Sequence, residues 1–131
     1  RNFFRSYHPD ICINCAAYTA VDKAETEQDL ANLVNAESTG FLAAVCKEFD
    51  AKLIHISTDY VFTGDALKPY TESDPTDPKS VYGSSKREGE ILALQSSNND
   101  LQDILAIFCL RKEFCKDDDQ VNERKACNIC C

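Results

Sequence analysis

Two short apolar runs constrain this chain more than any other feature. Ile11-Cys-Ile-Asn-Cys-Ala-Ala17 and Lys52-Leu-Ile-His-Ile-Ser57 both have strand length and read as near-continuous apolar segments. Runs of that kind are expected to form strands buried in a sheet. The stretch between them reads as helix. Asp22, Glu25 and Glu27 stand where a first helical turn benefits from carboxylates at the positive end of the dipole. Leu30, Leu33 and Val34, then Phe41, Leu42, Val45 and Phe49, continue at helical spacing towards Asp50. Gly40 falls between the two sets, marking either close packing or a break. Parallel strands need a crossover connection, usually a helix. Strand, long helix, strand therefore predicts a βαβ unit and an α/β fold with a parallel sheet.

Residues 63–80 read as loop, with Gly64, Pro69, Pro75 and Pro78. A helix is predicted to start at Ser80 or Ser84 and to run through Tyr82, Lys86, Glu90 and Leu94. No internal repeat is visible. At 131 residues the chain fits one small domain. The net charge of −8 excludes a phosphate-backbone binder, which needs clustered Lys and Arg, so no nucleic-acid partner is expected. No apolar run approaches the roughly 20 residues that span a bilayer, so no membrane association is expected either.

Eight cysteines raise disulfides or zinc. Cys12, Cys15 and Cys46 lie in core-like stretches, where a free Cys acts as a small hydrophobe. Cys109, Cys115, Cys127, Cys130 and Cys131 crowd the end of the chain. Cys127 and Cys130 form half of a zinc site with no second pair at suitable spacing, so no metal is expected there. The front of the chain reads as a reduced, cytoplasmic protein. His8 and His55 are too isolated to ligate a metal, and His55, inside a strand, reads as a satisfied structural histidine.

Tyr82-Gly-Ser-Ser-Lys86 places a phenol and an amine four apart, on one face of a helix. An ammonium beside a phenol favours the phenolate. A phenol so tuned can give a proton to a carbonyl oxygen as hydride arrives, or take one in reverse. Ser57, Thr58 and Asp59 directly follow the second strand, and ligands of open α/β sheets bind at the carboxyl ends of strands. Hydroxyls there can bond a keto oxygen, or they can simply cap and turn the chain. Ala16 and Ala17 end the first strand. Small residues there admit a flat cofactor, although ordinary tight packing explains them as well. Asp74 and Asp77 read as solvated turn residues.

Five segments together carry a family resemblance. Asn14-Cys-Ala-Ala-Tyr-Thr-Ala-Val-Asp22, Val34-Asn-Ala-Glu37, Leu53-Ile-His-Ile-Ser-Thr-Asp-Tyr-Val-Phe62, Pro69-Tyr-Thr-Glu72 and Val81-Tyr-Gly-Ser-Ser-Lys86 resemble the dTDP-4-dehydrorhamnose reductases, which are extended short-chain dehydrogenase/reductases. The resemblance runs over residues 8–96. It implies Tyr82 as proton donor to the C4 keto oxygen of a dTDP-sugar, and Lys86 as binder of the nicotinamide ribose. It implies Thr58 near the reacting carbonyl, Asp59 close to substrate, and Ala16, Ala17 and Tyr18 lining the cofactor site. NADPH or NADH is the implied cofactor; Mg2+ and a homodimer of the full-length protein are also compatible with the family. The same fold houses the non-catalytic regulatory subunit of methionine adenosyltransferase and other sugar-nucleotide reductases and epimerases, which are the alternative readings. Ser38 and Thr63 stand where the family has Gly and Asp.

The family's Gly-x-x-Gly-x-x-Gly loop, which cradles a pyrophosphate at a helix N-terminus, is not among the four glycines, Gly40, Gly64, Gly83 and Gly89. The family places it upstream. The resemblance therefore implies a partial Rossmann-like doubly wound parallel sheet lacking its N-terminal βαβ unit, over residues 1–98, and a fragment inactive as it stands. Residues 99–131 lose the pattern: charge clusters at Lys116-Asp-Asp-Asp119 and cysteine becomes frequent. Permitted codons for Gln102–Asp118, read one nucleotide later, give a peptide resembling the family's continuation. That predicts a tail translated out of frame and poorly packed.

Overall fold

A computed structural model describes residues 1–65, 69–71 and 73–96, together with the backbone of 104–108. Helix α1 (Asn2–Tyr7) opens the chain and was not anticipated. His8 closes it in the left-handed conformation, its N–H donating to the Phe4 carbonyl. Phe4 turns inward and meets the Phe49 ring at 5.6 Å. Strand β1 (Ile11–Asn14) follows, then α2 (Val21–Ala24), α3 (Gln28–Asn32), a π-helical turn (Leu33–Glu37) and α4 (Ser38–Glu48). Strand β2 (Lys52–Ser57), a 3-10 turn (Asp59–Val61), α5 (Val81–Ser96) and β3 (Ile104–Phe108) complete the order.

The strands form one parallel sheet in the order β1-β2-β3. Asn14 lies beside His55, and Ser57 beside Phe108, in the two registers. The expected helical crossover and parallel pairing are both present. Strand β3 falls within the stretch read as an anomalous tail. The rest of that stretch, with its proposed frame change and its cysteine cluster, lies outside the described residues.

Three expectations need correction. The first strand is not buried: Ile11 and Ile13 are 54 % and 59 % exposed, and only Asn14 is buried. Among the described residues β1 pairs on one side only, so its residues gain no second neighbour. Cys15, placed in the core, is exposed; Cys12 is half-buried and Cys46 buried. Burial, with Cys12 adjacent, pushes the Cys46 thiol up to about 12, so it behaves as the expected small hydrophobe. The helical apolar set is only partly the packing face: Val45 is in the core and Leu42 and Phe49 pack against it. Leu30, Leu33 and Phe41 point outward, while Ala31, Asn35, Ala36, Thr39 and Ala43 are buried. Small residues win the inner face because α5 lies so close. Gly40 marks packing, not a break: a Cβ there would sit 2.8 Å from the Leu92 Cβ. The core joins Phe4, Ala43, Val45, Cys46, Ala51, Leu53 and Ala93.

Candidate active site

Helix α5 carries Tyr82 and Lys86, and local chemistry fixes where it begins. The Ser80 hydroxyl accepts the Gly83 N–H at 3.1 Å, a side-chain cap on an otherwise unpaired donor. Two glycines then let the helix press against its neighbours. A Cβ on Gly83 would lie 2.2 Å from the Tyr60 carbonyl oxygen, and one on Gly89 would lie 2.2 Å from the Asn35 carbonyl oxygen. The start of α5 thus rests on the turn that follows β2. The Tyr60 ring meets the half-buried Tyr82 ring edge-on at 5.5 Å. Thr58 caps that turn, its hydroxyl oxygen accepting the Tyr60 N–H at 3.3 Å and its proton donated to Asp59 Oδ1 at 3.2 Å. Thr58 and Asp59 thus stand at the carboxyl end of β2, and Tyr82 meets the turn that follows through the Tyr60 ring.

Lys86 takes a different position from Tyr82. Its side chain is 1 % exposed, and its amine lies against β2, donating to the Ile56 carbonyl at 2.6 Å with the His55 Nε2 at 3.2 Å. Burial disfavours the ammonium and lowers its pKa, while the Glu90 carboxylate one turn on pushes the other way. His55, also 1 % exposed, is lowered to about 4, first by burial and then by Lys86. Its Nδ1 lies 3.1 Å from Asn14 Nδ2. Glu90 is itself satisfied: it accepts the Ser57 hydroxyl and pairs with Arg87 at 2.7 Å. Ser57 is thus committed to α5. The satisfied-histidine reading of His55 holds, since both ring nitrogens have partners.

The Ala16–Tyr18 segment leaves the carboxyl end of β1. Ala16 is exposed, and Ala17 and Tyr18 are half-buried. Asn35, fully buried in the π turn, clamps this segment. Its Oδ1 accepts the Tyr18 N–H at 2.8 Å, and its Nδ2 donates to the Tyr18 carbonyl at 3.1 Å and to Ser85 at 2.9 Å. The Tyr18 phenol points away, to Glu27, whose hydrogen bond raises its pKa. One buried polar layer thereby joins the segment to α5. Asn14, Asn35, Thr39, Ser85 and Glu90 were not singled out from the sequence. The signal was present for one of them: Asn14 is the one amide in the first apolar run. Among the described residues no buried side-chain N or O lacks a partner.

Two open grooves, of about 430 and 710 Å³, lie against α4, and neither is lined by Tyr82, Lys86 or Thr58. The larger groove does reach Asn14 and Ala16 at the carboxyl end of β1. A family model, RmlD substrate binding domain, matches residues 1–103. The chain belongs to the RmlD family. The chain is 51 % identical over 86 residues to a dTDP-4-dehydrorhamnose reductase of Escherichia coli, covering 66 % of this chain and 29 % of that protein. It is 49 % identical over 92 residues to a spore coat polysaccharide biosynthesis protein of Bacillus subtilis, covering 70 % and 32 %. A solved dTDP-4-dehydrorhamnose reductase of Bacillus anthracis, in complex with NADP, superposes with a TM-score of 0.76 at 38 % identity, covering 82 % of this chain and 37 % of that one. The chain thus spans about a third of the length of the relatives it matches. The fold, α/β with a Rossmann-like parallel sheet, is that of these RmlD relatives.

The residues present fit one end of a nicotinamide dinucleotide. Ala16 is exposed and Ala17 half-buried after the carboxyl end of β1, and the Thr58 hydroxyl lies at the carboxyl end of β2. No pyrophosphate cradle is among the described residues, since Gly83 and Gly89 are committed to helix contacts. Among the described residues no group of three or more His, Cys, Asp or Glu side chains is placed to hold a metal ion. The Mg2+ compatible with the family resemblance therefore has no support from the donor set. Among the described residues no helix is long and apolar enough to cross a membrane.

Proposed function

We propose that this chain carries the catalytic helix of an NAD(P)H-dependent oxidoreductase that reduces the 4-keto group of dTDP-4-dehydro-6-deoxy-L-mannose to give dTDP-L-rhamnose. The observation that supports this best is the seating of α5 on the turn after β2. It brings the Tyr82 phenol to the edge where Thr58 and Asp59 end a parallel strand. When bound, the cofactor supplies the hydride. Tyr82 holds the proton that passes to the sugar oxygen, and Thr58 orients that oxygen once its hydroxyl proton turns from Asp59 to the substrate. Lys86 stabilises the phenolate that remains, and it and the Ala16–Tyr18 segment hold the cofactor. NADPH and NADH both fit this part of the site. The same activity places the protein in the cytoplasm, and the full-length protein is proposed to work as a homodimer without nucleic-acid partners.

The test is NADPH oxidation in the presence of the keto-sugar nucleotide, made with the longer protein that carries this chain. Removing one positioned proton donor costs about 10²–10⁴-fold in rate. Tyr82→Phe is expected to lose kcat/KM by that factor while keeping cofactor binding. Wild-type turnover in that variant would sink the reading. The 131-residue chain alone is expected to show no turnover.

A further inference from the structure

The first N–H groups of a helix have no partner within it. At the start of α5 they are met from two places. The Ser84 N–H closes the first turn on the Ser80 carbonyl at 2.9 Å, and the Gly83 N–H goes to the Ser80 hydroxyl. The Val81 N–H, one residue before Tyr82, donates to a carboxylate oxygen of Glu25 at 2.9 Å. An N-cap side chain reaches the second or third N–H of its helix. The first needs an acceptor from elsewhere, and here it comes from a residue 56 positions upstream. Glu25 is placed for this by a short, well-tied stretch. Ala24 before it is fully buried, where α2 lies against α5. The Thr26 and Glu27 N–H groups after it both donate to the Lys23 carbonyl, at 3.0 and 2.8 Å. Glu27 also takes the Tyr18 phenol, so this stretch is tied back to the segment that leaves β1. On its other side the start of α5 rests on the turn after β2, where Gly83 packs against the Tyr60 carbonyl and the Tyr82 ring meets the Tyr60 ring.

We propose that Glu25 is a positioning residue for Tyr82: by gripping the Val81 N–H it fixes the first turn of α5, and so sets where the phenol stands between the Ala16–Tyr18 segment and the turn after β2. This deepens the reductase reading and rests on Tyr82 being its proton donor. The start of α5 is held between the continuations of two different strands. The hold from β2 is packing, and the hold from β1 is this one hydrogen bond. What the bond needs is an oxygen at the right reach, and a negative charge is not required. Glu25 is exposed, so water competes for the N–H and the bond adds only modestly to the stability of the fold. Placement is far more sensitive, because a displacement of about 1 Å can cost about 10²-fold in rate.

The test compares three substitutions at this position. Glu25→Gln keeps an oxygen at the same reach and loses the charge. Glu25→Asp keeps the charge and loses the reach. Glu25→Ala loses both. In the 131-residue chain, hydrogen exchange at the Val81 amide, read by NMR, is expected to be about 2- to 10-fold faster in Glu25→Ala and Glu25→Asp, the loss of one net hydrogen bond, and near wild type in Glu25→Gln. The nuclear Overhauser contact between the Tyr82 and Tyr60 rings is expected to weaken in the same two variants and to persist in Glu25→Gln. In the longer protein that carries this chain, those two variants are expected to lose about tenfold in kcat, with KM for NADPH and for the keto-sugar nucleotide kept, and Glu25→Gln to recover it. Exchange and ring contact unmoved in Glu25→Ala would overturn the proposal, as would an unchanged kcat in that variant. So would wild-type behaviour of Glu25→Asp alongside loss in Glu25→Gln, which is the result of a charge at the helix end acting alone. Absence of turnover in the wild-type longer protein would sink the reductase reading instead, and the exchange and ring measurements would still decide whether Glu25 holds Tyr82.

Discussion

His55 makes the stability of this fold depend on pH in a defined window. The ring is 1 % exposed and its pKa falls from the ordinary 6.5 to about 4, through burial first and the neighbouring Lys86 second. As pH drops through 6.5 the unfolded chain takes up a proton on this ring and the folded chain does not. The unfolded state then binds more protons, and unfolding becomes easier with each further step in acid. The loss ends near pH 4, where the folded ring also charges. Above 6.5 both states are neutral and the group contributes no slope. At about 1.4 kcal/mol for each pH unit, a fall from 6.5 to about 4 amounts to about 3 kcal/mol. Domains have about 5–15 kcal/mol in total, so the effect is a large share. Urea unfolding followed by far-UV circular dichroism, at several pH values between about 7 and 4, measures it. The comparison is with His55→Gln, which cannot titrate. The stability difference between the two proteins is expected to move by about 3 kcal/mol across that window, in favour of the variant at low pH. Because His8 and the carboxylates are common to both, they cancel in the difference. A difference constant with pH would refute the reasoning.

Three further substitutions follow from single contacts. Tyr82→Phe is expected to reduce kcat/KM by about 10²–10⁴-fold with cofactor binding kept, as steady-state kinetics on the longer protein will show. Asn35→Ala removes three hydrogen bonds, one buried and two part-buried, and strands the Tyr18 N–H and carbonyl; it is expected to cost about 2–4 kcal/mol in urea unfolding and to speed hydrogen exchange at the Tyr18 amide. Gly89→Ala places a methyl 2.2 Å from the Asn35 carbonyl oxygen, so α5 must move off the π turn. A loss of about 1–3 kcal/mol is expected in the same assay.

The order of elements was legible because strand-length apolar runs and a helical stretch have few alternative arrangements. The Lys52–Ser57 run and, of the two starts offered for α5, the one at Ser80 matched the structure, as did the loop before it over its described residues. Burial was less legible. Ile11 and Ile13 read as core because hydropathy reports what a residue prefers, not whether a neighbour is present to cover it. Leu30, Leu33 and Phe41 misled for a related reason. Their size marked them as the packing face, but α5 approaches α4 so closely at Gly40 that only Ala, Thr and Gly fit between. At the candidate site, spacing brought Tyr82 and Lys86 forward and strand position brought Thr58 forward, while their roles came from the family resemblance. Asn35 and Asn14 were not, because an amide in a sequence gives no sign of whether it bonds water or clamps a backbone. What distinguishes them is burial, a property of the fold.

Burying a lysine is costly, and the chain arranges compensation for it. The Glu90 carboxylate favours the Lys86 ammonium, and it is in turn held by Ser57 from β2 and by Arg87 from its own helix. Burial opposes the same charge, so the amine is balanced between burial and one carboxylate. Glu90→Gln keeps an oxygen for the Ser57 hydroxyl but removes the negative charge. It is expected to lower the Lys86 titration, and carbon-13 NMR of the lysine side chain reads the shift. If Glu90→Gln raises that titration or leaves it fixed, Glu90 does not support the charge, and burial alone sets the state of the amine. Leucine at position 86 would remove the need for Glu90, Ser57 and Arg87 together. That the chain instead keeps a charged group at its centre, with three residues to support it, fits a residue placed there for chemistry rather than for packing.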